Sequence, residues 1–209
     1  MEVRKQKMNE KFFELPEEKQ TRIINAGFHV FSENSYKKSP VSEIADAAGI
    51  SKSLLFFYFR NKKELYLFLW KKTEELVKSA LASASFDPDE SIFERMYESL
   101  KVKASLLAEY PDIFRFSLKV YYEQDPEVKD EIRSVVEPYT AIDTNQAMPS
   151  FDPKDFKDGT DLKLMYQDVY LASEGYLWRM SQKKNADLET VLKDLREMTD
   201  FWKKTYLKQ

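Results

Sequence analysis

The 209-residue sequence predicts an all-α fold. Three observations predict it. Apolar residues recur at i, i+3, i+4 spacing along most of the chain, and alternating β-branched runs are absent. Only 4 glycines occur, too few for many hairpins. Prolines stand just ahead of periodic segments, at Pro16, Pro40, Pro88 and Pro126, where a helix start tolerates them. About nine helices are expected. Three form an N-terminal helix-turn-helix domain, and a long helix joins it to a C-terminal helical domain.

The first helix runs from about Glu17 to Asn34, with Ile23, Ile24, Gly27, Val30 and Phe31 on one apolar face. Gly27 lets a neighbouring helix approach closely, at a cost of roughly 1 kcal/mol in helix propensity. Ser39-Pro40 reads as an N-cap followed by proline at the first helical position. The second helix turns Val41, Ile44, Ala45 and Ala48 inward and ends at Gly49, suited to a left-handed exit. Ser51 caps a third helix through Phe59. A fourth begins near Asn61 and carries Leu65, Phe68, Leu69, Leu76 and Leu81. Asp87-Pro88-Asp89-Glu90 opens the next, ending at Tyr110-Pro111. A short segment with Ile113, Phe114, Phe116, Leu118 and Tyr121 follows, and Asp125-Pro126 opens one more, ending near Pro138. Residues 143–161 read as a loop. Two final helices span about 162–183 and 187–207.

Within 39–65, small residues at Ala45, Ala48 and Gly49 allow two short helices to cross tightly, and Ile50 and Leu55 fill their shared core. Ser51, Lys52 and Ser53 stand at the N-terminal end of the second of these helices. In a helix-turn-helix that end enters the major groove, and its backbone N–H groups favour phosphate. Charge agrees. Residues 1–63 hold 12 Lys+Arg against 8 Asp+Glu, whereas 64–209 hold 21 against 28. A basic head lies on phosphates while an acidic remainder stays off them.

These residues resemble the N-terminal domain of the TetR family of bacterial transcriptional regulators. The resemblance spans about Glu17 to Trp70. It rests on Ile23-Ile24, Phe31, Tyr36, Glu43-Ile44-Ala45, Ala48-Gly49-Ile50-Ser51-Lys52, Leu55, Tyr58-Phe59, Asn61-Lys62 and Glu64-Leu65. It implies a DNA-binding domain over 1–63, with 1–15 as an arm, and an effector-binding and dimerisation domain over 64–209. It further implies a homodimer on a palindromic double-stranded DNA operator. Repression would be released when a small, largely apolar effector shifts the dimer population, with the long fourth helix (Tyr66, Leu69, Trp70) as lever. Ser39 and Ser42 occupy positions that often contact phosphate, Lys52 and Ser53 the groove-facing helix start, and Lys62 a lysine that clamps phosphate.

The sequence also departs from the family pattern. Leu54 stands where Thr or Ser is common, and Phe56 and Phe57 stand where Tyr and His or Tyr are common, so hydroxyl and imidazole contacts are missing. Two readings follow: apolar contact with thymine methyls, or packing against the domain core or the sugar-phosphate wall. Ser35 replaces a glycine before Tyr36, and Asn34 is expected to take the left-handed turn instead. Arg4, Lys5, Lys7 and Lys11 read as a solvated tail or short extra helix in preference to a DNA-reaching arm.

C-terminally, the last helix carries Leu188, Val191, Leu192, Leu195, Met198 and Trp202, and the preceding one Met165, Val169, Ser173, Tyr176, Leu177 and Met180. Doubled by symmetry, such stripes build a four-helix dimer interface. Tyr97, Tyr121, Tyr166, Tyr170 and Trp178 offer apolar rings with polar tips, Phe114 an apolar ring and Glu174 an acid, as a candidate effector pocket. Enzymatic readings fare poorly. His29 is the only histidine and lies on the outward side of its helix. Absence of cysteine removes thiolate nucleophiles, thiolate metal sites and disulfides. The aspartates of 152–161 are spaced by three, not by the two that an EF-hand needs. No cofactor or metal is called for. No apolar run of about 18 residues and no secretory h-region occur, so a cytoplasmic location is expected. The rival that keeps the fold is a ligand-binding or protein-interaction module with a degenerate DNA-reading helix.

Overall fold

The computed structural model describes residues 10–87, 90–140, 152–181, 183 and 187–208. Among them are nine α-helices: α1 Glu17–Glu33, α2 Val41–Ala47, α3 Lys52–Phe59, α4 Lys62–Ser83, α5 Ile92–Ser105, α6 Ile113–Tyr121, α7 Lys129–Thr140, α8 Leu162–Ser181 and α9 Leu188–Tyr206. Short 3-10 turns stand at Glu10–Phe12, Leu106–Ala108 and Pro153–Asp155. No strand occurs among the described residues, only an isolated antiparallel bridge between Phe156 and Leu207. No described helix is long and apolar enough to cross a membrane.

Several boundaries differ from the sequence expectation, each for a local reason. α5 starts at Ile92, where the Ser91 hydroxyl accepts the Glu94 N–H at 3.3 Å; Pro88 and Asp89 lie outside the described residues. It also ends at Ser105, because the chain tightens into a 3-10 turn before reaching Pro111. Ahead of α7, Asp125 opens a turn whose carbonyl accepts from Val128 and Lys129, so regular helix begins only at Lys129. Residues 143–151 of the expected loop lie outside the described residues; after them Asp152 caps a 3-10 turn through the Lys154 N–H at 2.9 Å.

The described chain divides into two compact units. The first comprises the chain up to Lys78 together with Leu106–Val136. Its core is continuous and aromatic: Phe28, Phe31, Tyr66 and Phe116 meet ring to ring, and Phe12 packs against Tyr58, Phe59 and Phe68. α1 and α4 approach closely at Gly27, where an added Cβ would lie 2.6 Å from Leu69 Cδ1. α1 is also tied by polar contacts to α6 and to the turn that leads into it. His29 Nδ1 lies 2.9 Å from Asp112, the Asn25 amide donates to the Glu109 carbonyl at 2.8 Å, and Arg115 pairs with Glu33 at 2.6 Å.

The second unit comprises Ser79–Ser105 and the chain from Glu137 on. Phe93, Phe156, Met165, Val169 and Trp202 form its buried core. Above that core Glu94 of α5 accepts from Arg196 and Lys203 of α9 at 2.6 and 2.5 Å, and the Arg196 guanidinium stacks 3.7 Å from the Tyr97 ring centroid. Burial pushes the Glu94 carboxyl up, but the Lys203 and Arg196 hydrogen bonds outweigh it and hold the group below the usual glutamate range. Tyr176 of α8 donates to Asp194 of α9 at 2.7 Å.

Candidate DNA interface

The turn between α2 and α3 forms as its residues dictate. Gly49 takes φ +66°; its N–H reaches the Asp46 carbonyl and the Ile50 N–H the Ala45 carbonyl, both at 3.0 Å. This paired closure of a helix C-terminus favours glycine at the left-handed position. From α1, Arg22 Nε donates to the Ala48 carbonyl at 2.9 Å and fixes the corner. Ser51 then caps α3, accepting the Leu54 N–H at 3.1 Å and sharing a hydrogen bond with Ser53. α3 is two-faced. Leu55, Tyr58 and Phe59 are buried in the first unit's core, while Lys52, Ser53, Leu54 and Phe57 are exposed. Phe56 is half-buried, with the Lys52 ammonium 5.8 Å from its ring centroid.

Not every sequence-predicted contact joins this face. Ser42 is exposed at the start of α2, but Ser39 is only 2% exposed. Pro40 occupies the N-cap of α2, so Ser39 turns back and donates to the Ser35 carbonyl at 2.9 Å, closing the exit of α1. Its expected phosphate contact is therefore corrected. Asn34 is extended at φ −124° and takes no left-handed turn; its amide bonds the Val30 carbonyl instead. Residues 10–15 do not behave as an arm either: Phe12 is fully buried, and Lys11 pairs with Glu14. Arg4, Lys5 and Lys7 lie outside the described residues.

Lys62 is half-buried at the start of α4, capped by Asn61 through the Glu64 N–H. Its ammonium donates to the Lys37 carbonyl at 3.1 Å and stands 4.8 Å from the Tyr36 ring centroid. Desolvation lowers its pKa, partly offset by Glu127, Asp125 and Glu123. Glu123 also accepts the Tyr36 N–H at 2.9 Å, so the α6–α7 connection anchors the same corner. Sequence reasoning missed Arg60. It is exposed, at φ 52° and ψ −49°, between α3 and α4, and the Asn61 N–H closes onto the Phe59 carbonyl across it. This is the rare, strained form of γ-turn, and no local residue pattern announces it.

The sequence profile for bacterial regulatory proteins of the tetR family matches residues 23–68, the segment that builds this corner and both of its flanking helices. Over that segment the chain carries the TetR family's N-terminal domain. The "Fatty acid metabolism regulator protein" of Bacillus subtilis is 25% identical over 166 residues, covering 73% of this chain and 78% of that protein. The transcriptional regulator RutR of Escherichia coli is 25% identical over 114 residues, covering 54% and 53%. Among solved structures, a TetR family regulator from Chloroflexus aurantiacus has a TM-score of 0.68 at 19% identity, over 97% of this chain and 99% of that one. FadR of Bacillus subtilis in complex with stearoyl-CoA has a TM-score of 0.57 at 20% identity, over 87% and 96%. These structures share the fold: an N-terminal helix-turn-helix followed by a helical C-terminal domain.

As a TetR-type transcriptional regulator, and not an enzyme, the protein has its chemistry in recognition. The residues expected to hold an effector fall into different units. Phe114 and Tyr121 pack against the first unit's core. Tyr97 is buried in the second unit under Arg196, and Tyr166 packs on that unit's core. Tyr170, Glu174 and Trp178 lie half-buried along α8. The expected dimer stripe is corrected in part. Met165, Val169, Leu195 and Trp202 are buried in the protomer's own second unit, because α8 and α9 turn those faces inward. Ser173, Tyr176, Leu177, Met180, Val191, Leu192 and Met198 are half-buried and Leu188 is exposed. The large apolar side chains left outside are Leu164 and Leu171 on α8 and Leu188 and Phe201 on α9. A cleft of about 510 Å³ opens on the same helices, lined by Leu171, Tyr176, Arg179, Met180, Lys183 and Met198 among others.

Proposed function

We propose that the protein is a repressor that binds a palindromic DNA operator as a homodimer through α3 and is released by a small, largely apolar effector. The observation that carries this reading is the two-faced α3: its rear is built into the core, and its outer face presents Lys52, Ser53, Leu54 and Phe57. Ser42 stands at the start of α2, and Lys62 keeps ammonium protons beyond the one given to Lys37 for a phosphate. One eight-residue helix reads few base pairs, and pairing two by symmetry multiplies affinity. The exposed leucines of α8 and α9 and Phe201 supply an apolar face for a second copy.

The effector is read as a long-chain acyl compound, its coenzyme A thioester included. The similarity to a fatty acid metabolism regulator of Bacillus subtilis, and to that organism's FadR bound to stearoyl-CoA, supports this. Selection from a random duplex pool, followed by gel shifts over a salt series, tests the DNA reading. A palindrome bound by two protomers is the expected product. A folded protein that enriches no sequence at low salt would mean a ligand-binding or protein-interaction module with a degenerate reading helix. Stearoyl-CoA added to the complex is expected to release DNA and to raise Tm; no effect of either kind removes the acyl assignment.

A further inference from the structure

α3 carries an unusual set of side chains for a helix that reads bases. Its eight residues, KSLLFFYF, include no Arg, Asn, Gln, Asp or Glu. The bidentate pairings that distinguish guanine and adenine in the major groove need Arg, Lys, Asn or Gln, and only Lys52 is of that kind. Ser51, just ahead of the helix, has its hydroxyl engaged with the Leu54 N–H. Phe56 lies half-buried beneath Lys52, and Leu55, Tyr58 and Phe59 are core. What remains outward beyond Lys52 and Ser53 is Leu54, 36% exposed, and Phe57, 53% exposed.

Leu54 and Phe57 are three residues apart and therefore share one face of α3, separated by roughly 4.5 Å along the axis. That spacing is close to the 3.4 Å rise of one base step, so two side chains at this separation meet adjacent base pairs. The Phe57 ring meets Tyr58 edge to face at 5.6 Å, and Tyr58 is itself buried, which steadies the ring's position. Two large apolar groups held outward on a rigid helix gain by covering apolar surface. In the major groove that surface is the thymine C5 methyl.

We infer that Leu54 and Phe57 are specificity-determining residues that read the C5 methyl groups of thymines at neighbouring positions in each half-site. This rests on the DNA-binding reading given above. Sequence preference then arises from apolar contact, with Lys52 and Ser53 adding the polar contacts at the helix start. Burying one methyl is worth about 0.8 kcal/mol, or roughly fourfold in affinity.

The test uses the full-length protein and a duplex it has selected from a random pool. Each thymine is replaced in turn by deoxyuridine, which removes only the methyl. Affinity is expected to fall about fourfold at neighbouring positions in each half-site and to stay unchanged elsewhere. Leu54→Ala is expected to erase the uracil sensitivity at one of these positions and Phe57→Ala at its neighbour. Uracil tolerated at every position, or sensitivity that survives unchanged in both variants, overturns the inference while leaving DNA binding intact. A protein that enriches no duplex overturns the DNA-binding reading itself, a separate outcome.

Discussion

The two units solve the burial problem differently. The first closes on itself: from Phe12 to Ile132 its apolar side chains join in one continuous cluster with ring-to-ring contacts throughout. The second has a smaller buried core, flanked by the Glu94–Arg196–Lys203 ion network, and leaves Leu164, Leu171 and Phe201 largely outside. A rigid head suits a part that must hold a helix for a groove. An incomplete apolar surface suits a part that acts with a second copy. α3 is held by α2, by Phe68 of α4 against Phe59, and by Phe12, whose ring meets Tyr58 and Phe59 from more than forty residues away.

The largest effect is expected from the head's core. Phe31→Ala removes a fully buried ring and should cost about 3–5 kcal/mol, read as a lowered denaturation midpoint; a loss under about 1 kcal/mol would mean the core is looser than described. Gly27→Val drives methyls into Leu69 and should cost about 1–3 kcal/mol, with DNA affinity falling alongside stability. For the second unit, Leu171→Glu with Phe201→Glu should weaken self-association at least about tenfold, roughly 1.4 kcal/mol. Sedimentation at several concentrations measures it, and an unchanged dimer places the interface elsewhere. Lys62→Ala should lower the salt slope of DNA binding by about 0.9; an unaltered slope confines Lys62 to bracing Lys37 and Tyr36.

The smallest effect concerns the ion network. Because the folded Glu94 carboxyl is held below the usual range, its contribution is fully present above the unfolded value near 4.3. It is lost as pH falls through the lower folded value. The Tm difference between wild type and Glu94→Gln should therefore be constant from pH 7 to 5 and shrink below about pH 4. A difference independent of pH would assign the cost of the substitution to geometry alone.

Helices with a single strong periodicity and a clear cap were legible before the fold was known. α1, α3 and the Gly49 turn fall where their residues place them, since caps, glycine conformation and i, i+3, i+4 spacing act over a few residues. Phe12 was not legible, because the partners that bury it, Tyr58, Phe59 and Phe68, lie more than forty residues away. Ser39 misled for a related reason: its motif fits a cap, yet the Ser35 and Val30 carbonyls at the exit of α1 claimed its hydroxyl. On α8 and α9 the stripe is correct as a pattern, but periodicity shows that a face is apolar without saying which neighbour covers it.

The order of residues alone settles the all-α class, the helix-turn-helix corner and its likeness to the TetR N-terminal domain, because these rest on local conformational preference and short-range spacing. The tertiary structure alone decided which apolar residues face inward. It left Leu54 and Phe57 outside while Leu55, Tyr58 and Phe59 went in, turned Lys62 toward Lys37, and set Arg60 in a strained turn. Those outcomes depend on which distant side chains compete for the same volume and the same hydrogen bonds, and that competition exists only once the chain has folded.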